Sequence, residues 1–190
     1  MSQEITVELK DGKLTPAELE ELCTLGYNLE NGILYEQDKN KALALYKRAY
    51  DEGSIKGANN FGYLLSVLGT SRESTIIALS VLEKSALNGN TTAMVNIGNI
   101  YEYGQLDGKP DYKQALKWYH RAALMGDNTG IFNYANLLHE GKGTRRDRET
   151  ALMLFRKLTE RGFKSAPFYV GLYYENGFVV EKNYQAAMRF

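Results

Sequence analysis

The chain has 190 residues, 44% of them hydrophobic, and its 23 basic residues are balanced by 23 acidic ones. That balance removes the basic face expected of a DNA or RNA binder and any general pull toward an anionic membrane surface. Three prolines and a full apolar complement argue against a disordered chain, and no apolar run is long enough for a spanning helix.

The first elements are an arm and a helix. In residues 1–14, Ile5, Val7 and Leu9 alternate with polar residues and Asp11-Gly12 is a turn signal, which predicts a short strand or extended arm. Thr15-Pro16-Ala17-Glu18 then starts a helix, with a cap, a proline at the first position and a glutamate three residues on. Cys23 lies in this helix and is the single cysteine, so no internal disulfide forms and the residue reads as a small buried hydrophobe. A lone thiol suits a reducing compartment, or an oxidising one in which the stacked core needs no staple; the first twenty residues lack a charged-then-apolar leader, so a cytoplasmic location is expected.

From Cys23 onward the chain repeats. Gly26, Gly62, Gly98, Ala135 and Gly171 recur every 36 or 37 residues. Ala42, Ala78, Ala115, Ala151 and Ala187 keep the same pitch, as do Gly53, Gly89, Gly126 and Gly162. Three small-residue series in one register predict a row of stacked supersecondary units rather than one globular core. The units fall at 15–53, 54–89, 90–126 and 127–162, with a partial fifth at 163–190.

The third unit shows how each is built. Asn90 caps a first helix through Ala93, Ile97, Gly98 and Tyr101, with apolar residues three and four apart. Gly104 ends it, and Gly108 and Pro110 lie in the loop. Asp111 caps a second helix, with Gln114 placed for a capping box; Ala115, Trp118, Tyr119, Ala122 and Ala123 form its apolar stripe before Gly126 stops it. The fold class is therefore all-α, built from helical hairpins. A glycine in mid-helix costs about 1 kcal/mol against alanine, so its recurrence at one phase predicts a close approach that a side chain would block.

The run Ala93-Met94-Val95-Asn96-Ile97-Gly98-Asn99-Ile100-Tyr101 through Gly104, followed by Asp111-Tyr112-Lys113-Gln114-Ala115-Leu116-Lys117-Trp118-Tyr119 to Ala122-Ala123 and Gly126, resembles a Sel1-like repeat, a relative of the tetratricopeptide repeats. The resemblance runs from about Leu22 to the C-terminus. Departures are local: the second unit has Thr70-Ser71-Arg72-Glu73 in place of the aspartate, and the fourth alone has a full Gly-x-Gly loop, Gly141-Lys142-Gly143. The resemblance implies an α/α superhelical solenoid of about four and a half helix-turn-helix repeats whose first helices line a concave wall. It also implies an adaptor that holds a protein or peptide: bacterial relatives serve in signalling, secretion or toxin neutralisation, eukaryotic ones in protein quality control.

On that wall, the residues two before and one after the Gly/Ala position share a face: Asn60 and Tyr63, Asn96 and Asn99, Asn133 and Asn136, then Tyr169 and Leu172. Amides can satisfy the backbone of a bound segment and tyrosines add contact area at low entropic cost. A second reading has Asn60, Asn96 and Asn133 bridging adjacent hairpins, because that asparagine belongs to the repeat's own pattern. Tyr63, Asn99 and Asn136 are freer of that pattern and lead the candidates.

Signs of other chemistry are sparse. His120 and His139 occupy unlike helices without a second ligand at metal spacing, so neither a metal nor a cofactor is expected. No nucleophile motif or phosphate-cradling glycine loop is present. Lys142, Arg145, Arg146 and Arg148 form one basic cluster, read as a solvated loop or as a contact for an acidic patch. The alternative function is a hydrolase acting on cell-wall-related compounds such as β-lactams, with Glu102, Glu140 and Glu175 recurring near the ends of first helices. The relatives linked to β-lactams have paired cysteines in every unit, which this chain lacks.

Overall fold

The computed structural model describes residues 13–190. The expected arm around Ile5, Val7 and Leu9 lies outside the described residues. Among the described residues there are ten helices and no strand: α1 (Pro16–Asn31), α2 (Lys39–Asp51), α3 (Ile55–Leu68), α4 (Arg72–Leu87), α5 (Thr91–Glu102), α6 (Tyr112–Leu124), α7 (Asn128–Glu140), α8 (Arg148–Glu160), α9 (Ala166–Asn176) and α10 (Tyr184–Ala187).

Short polar side chains set where the helices begin. Asp38, Ser54, Asn90, Asp111, Asp127, Asp147 and Asn183 each accept a hydrogen bond from a backbone N–H in the first turn of the following helix. The full two-way capping box forms at Thr15 with Glu18 and at Ser71 with Ser74. Ser71 thus supplies in the second unit the cap that aspartate supplies elsewhere. At Asp111 the bond from the Gln114 N–H, 3.0 Å, stands alone.

Each helix packs antiparallel on the one before and the one after, so the hydrophobic core is a string of clusters rather than one centre. The mid-helix glycines open room for a residue of the partner helix. A Cβ on Gly26 would come within 2.6 Å of the Tyr46 ring, one on Gly62 within 2.7 Å of Leu82, and one on Gly98 within 2.3 Å of the Tyr119 ring. Tyr46, Tyr119 and Leu82 are fully buried in consequence. Between neighbouring pairs the approach is as close: a Cβ on Gly57 would meet Ala49 at 2.7 Å, and one on Gly130 would meet Ala122 at 2.5 Å.

Successive first helices also touch one another, α1 on α3, α3 on α5 and α5 on α7, whereas α2, α4, α6 and α8 make no comparable contact among themselves. Closer spacing on the first-helix side bends the row toward it. That side is the inner wall.

Candidate functional site

The inner wall runs along α1, α3, α5, α7 and α9, and the pitch of the repeat puts the same helical phase of each in line. In the middle of the row its amides are occupied. Asn96 donates to Asn59 Oδ1 of the preceding unit at 3.1 Å, and Asn59 donates to Asn60 Oδ1 at 3.1 Å. The Tyr119 hydroxyl lies 2.7 Å from Asn99 Oδ1 and 2.6 Å from Glu102 Oε2, its single proton serving one acceptor at a time. Asn133, on the next first helix, faces the same hydroxyl and slightly offsets the effects that raise its pKa. Asn136 in turn faces the hydroxyl of Tyr169. Hydrogen bonds among amides and phenols therefore join α3 to α5 and α5 to α6, and amides of α7 face phenols of α6 and α9.

Tyr169 belongs more to packing than to surface. Its ring stacks on Phe155 at 4.6 Å and meets Phe132 edge-on at 5.2 Å, and burial raises its hydroxyl's pKa. By contrast, Tyr63 is 39% exposed and Tyr27, at the same phase of α1, is 54% exposed. Val67, one turn beyond Tyr63, is exposed as well. The N-terminal half of the wall thus presents apolar and phenolic area, while the middle presents amides already held by the fold.

Behind the wall, two buried tyrosines reach through to carboxylates. The Tyr46 hydroxyl donates to Glu30 Oε2 at 2.9 Å, as Tyr119 does to Glu102. Burial first, and the facing glutamate next, push both phenols far above their ordinary pKa. In the sequence alone Tyr119 falls in an apolar stripe and Glu102 is only a recurring acid; Tyr27, Glu30, Asn59 and the pairing of phenol with carboxylate are not reached from it. The signal was nevertheless present. Units with Tyr in the second helix, at Tyr46 and Tyr119, carry Glu four residues after the glycine, at Glu30 and Glu102; those with Leu82 and Phe155 carry Ser66 and His139.

The remaining candidates are scattered. Cys23 is fully buried, and desolvation raises its thiol pKa. His120 is exposed and stacks on Tyr134 at 4.7 Å. In the basic cluster, Lys142 pairs with Glu140 at 2.5 Å, Arg146 donates to the Glu140 carbonyl, and Arg148 lies over the Phe178 ring at 3.9 Å. Glu102 is committed to Tyr119, Glu140 to Lys142, and Glu175 lies in a separate groove beside Tyr184. On the outer side, α2 and α4 flank an apolar groove of about 730 Å³ lined by Leu43, Phe61, Leu65, Ile76, Ile77 and Val81. Its Ile76 and Ile77 replace the polar pairs Asn40-Lys41, Lys113-Gln114 and Glu149-Thr150 of other units. Among the described residues there is no group of three or more His, Cys, Asp or Glu fit to hold a metal ion, and no helix long and apolar enough to cross a membrane.

With this geometry in place, comparison with known proteins is specific. The Sel1 repeat model matches residues 23–54, 91–127, 129–163 and 165–190, more than half of the chain. Residues 55–90 fall outside the matched regions, yet α3 and α4 stack there as the other pairs do. Among solved structures, the chain is similar to a protective antigen of uropathogenic Escherichia coli strains displaying an SLR fold, with 32% identity and a TM-score of 0.73. That match covers 89% of this chain and 36% of the antigen, so the chain spans about a third of its length. It is also similar in fold to a Sel1 repeat protein from Oxalobacter formigenes, 23% identical with a TM-score of 0.74, covering 90% of this chain and 70% of that one.

Proposed function

Because the chain belongs to the Sel1 repeat family, whose members are typically protein-interaction scaffolds, we propose that it is a non-catalytic scaffold that grips a segment of a partner protein on its inner wall. The observation that carries this reading is the row of first helices, in contact with one another, with Tyr27, Tyr63 and Val67 exposed along it. Tyrosine offers a large amphipathic surface with few rotatable bonds, the property that makes it a frequent anchor in protein interfaces. Asn60, Asn96, Asn99, Asn133, Asn136 and Tyr169 shape the wall beside these anchors and offer a bound backbone whatever hydrogen-bonding capacity the internal network leaves over. Nothing supports the hydrolytic alternative, since Glu102, Glu140 and Glu175 are committed to other groups or stand apart.

The test compares affinity capture by the wild-type chain with capture by a Tyr27→Ala/Tyr63→Ala double variant, whose helicity is checked by circular dichroism. Asn99 is left intact because it holds the Tyr119 hydroxyl, and Asn136 because it faces the half-buried Tyr169. A partner lost by the double variant, but kept by an outer-groove Ile76→Lys variant, supports the wall. Loss of an anchoring tyrosine at an interface of this kind weakens binding by about 1–2 kcal/mol each. Equal capture by both variants and wild type removes the proposal.

A further inference from the structure

His139 stands where the first and third units have Glu30 and Glu102, but it makes a different connection. In those units the partner is a tyrosine on the second helix of the same pair. In the fourth unit that position is Phe155, which has no hydroxyl to give. His139 Nδ1 lies instead 2.8 Å from the Tyr173 hydroxyl on α9, so the link joins α7 to the following unit. The imidazole packs 5.3 Å from the Tyr173 ring and 5.8 Å from Phe178. Phe178 also carries the Arg148 guanidinium over its face at 3.9 Å, and Arg148 Nε is buried without a hydrogen-bond partner.

We propose that His139 is a pH-sensitive clasp: neutral, it holds α9 onto α7 and α8; protonated, it loosens that junction and with it the C-terminal end of the inner wall. The charges around it come from every neighbouring element. Glu140 follows it on α7, but its carboxylate is engaged by Lys142. The loop contributes Arg146 and Asp147, and the Asp147 carboxylate is held by the Thr150 N–H and hydroxyl. The start of α8 contributes Arg148, and α9 contributes Tyr173, whose hydroxyl burial pushes up to about 12 and so keeps neutral. A proton on the imidazole thus adds a third cation to two guanidiniums in a half-buried place, and the opposing pull of Glu140 is weaker than burial and Arg148 and is shared with Lys142.

The hydrogen bond by itself survives protonation, because a protonated Nδ1 donates to the phenol oxygen whichever neutral tautomer preceded it. The charge is what the site does not accommodate. Burial, and then Arg148, lower the pKa of His139. A histidine depressed in the folded state contributes stability that is present in full above its unfolded value of about 6.5 and is lost as the pH falls through the lower, folded value. The junction therefore opens on the acid side.

The experiment uses the full chain. The imidazole titration is followed by NMR, with His120→Gln removing the signal of the exposed second histidine. Amide exchange of α9 is compared with that of α3 to α5 at about pH 7.5 and 5.5 after correction for intrinsic rates. The expected result is a midpoint below the free-histidine value, a severalfold faster opening of α9 at the lower pH, and no such change in His139→Gln. A midpoint at or above the free value overturns the proposal, as does equal acid acceleration in His139→Gln. Should that variant not fold, Arg148→Gln serves: an unmoved midpoint and unmoved acid opening would overturn the proposal, and a raised midpoint with less acid opening would support it.

Discussion

A Cβ at Gly98 would sit 2.3 Å from the Tyr119 ring, and this sets two residue-level effects against each other. Alanine is a better helix former than glycine by about 1 kcal/mol, whereas overpacking a filled core costs about 1–3 kcal/mol. The ring cannot move freely, because its hydroxyl is held by Asn99 and Glu102. Gly98→Ala is therefore expected to lower stability by about 1–2 kcal/mol in urea denaturation. Gly171 makes the contrast: its Cβ would meet no atom closer than 3.2 Å, the Ala187 carbonyl oxygen. Equal or improved stability of Gly98→Ala would contradict the packing account. The phase of these glycines was legible from the repeat; the identity of the blocking atom was not, because it belongs to another helix.

At the scale of elements, caps and loops carry the repeat even where its residues change. Gly143 is in the left-handed region, at φ 74°. The corresponding positions in the first and fifth units are Leu34, at φ 65°, and Val179, at φ 53°. The loop geometry is thus imposed on residues that disfavour it, a β-branched valine most of all. Val179 is half-exposed, so its side chain contributes little packing to offset the strain. Val179→Gly is expected to raise stability by about 0.5–1 kcal/mol, the relief of the left-handed strain exceeding the added freedom of the unfolded chain. A lower melting temperature in thermal unfolding would show that the valine's contacts matter more. In the second unit, Ser71 with Ser74 caps α4 without the usual aspartate. Chemistry that satisfies the first-turn N–H groups is what counts there, and this explains how α3 and α4 stack in line although residues 55–90 lie outside the family match.

At the scale of the whole molecule, helices pack on their neighbours in chain order, so stability is a sum of units and junctions. A wedge at one junction should therefore be felt on its two sides differently. Ala122 is fully buried against α7, where even a Cβ on Gly130 would be 2.5 Å away. Ala122→Leu is expected to cost about 2–3 kcal/mol and to release α7 to α9 in hydrogen exchange while α3 and α4 keep their protection. Uniform loss of protection along the chain would mean one cooperative body instead of a row.

The spacing of small residues, the polar caps and the turn glycines determined the hairpins and their stacking, because these depend on residues close in the chain and on a period that repeats. The same pattern placed Asn60, Tyr63, Asn96, Asn99, Asn133, Asn136 and Tyr169 on one phase of the first helices. Which of them are already spent was decided by tertiary structure. Asn96 meets Asn59 one unit away, Asn99 takes the Tyr119 hydroxyl that Asn133 also faces, Tyr169 packs on Phe155 with Asn136 facing its hydroxyl, and Tyr27 and Tyr63 are left outward. A helical period says which direction a side chain leaves its own axis; only the neighbouring helix decides whether a partner is waiting there.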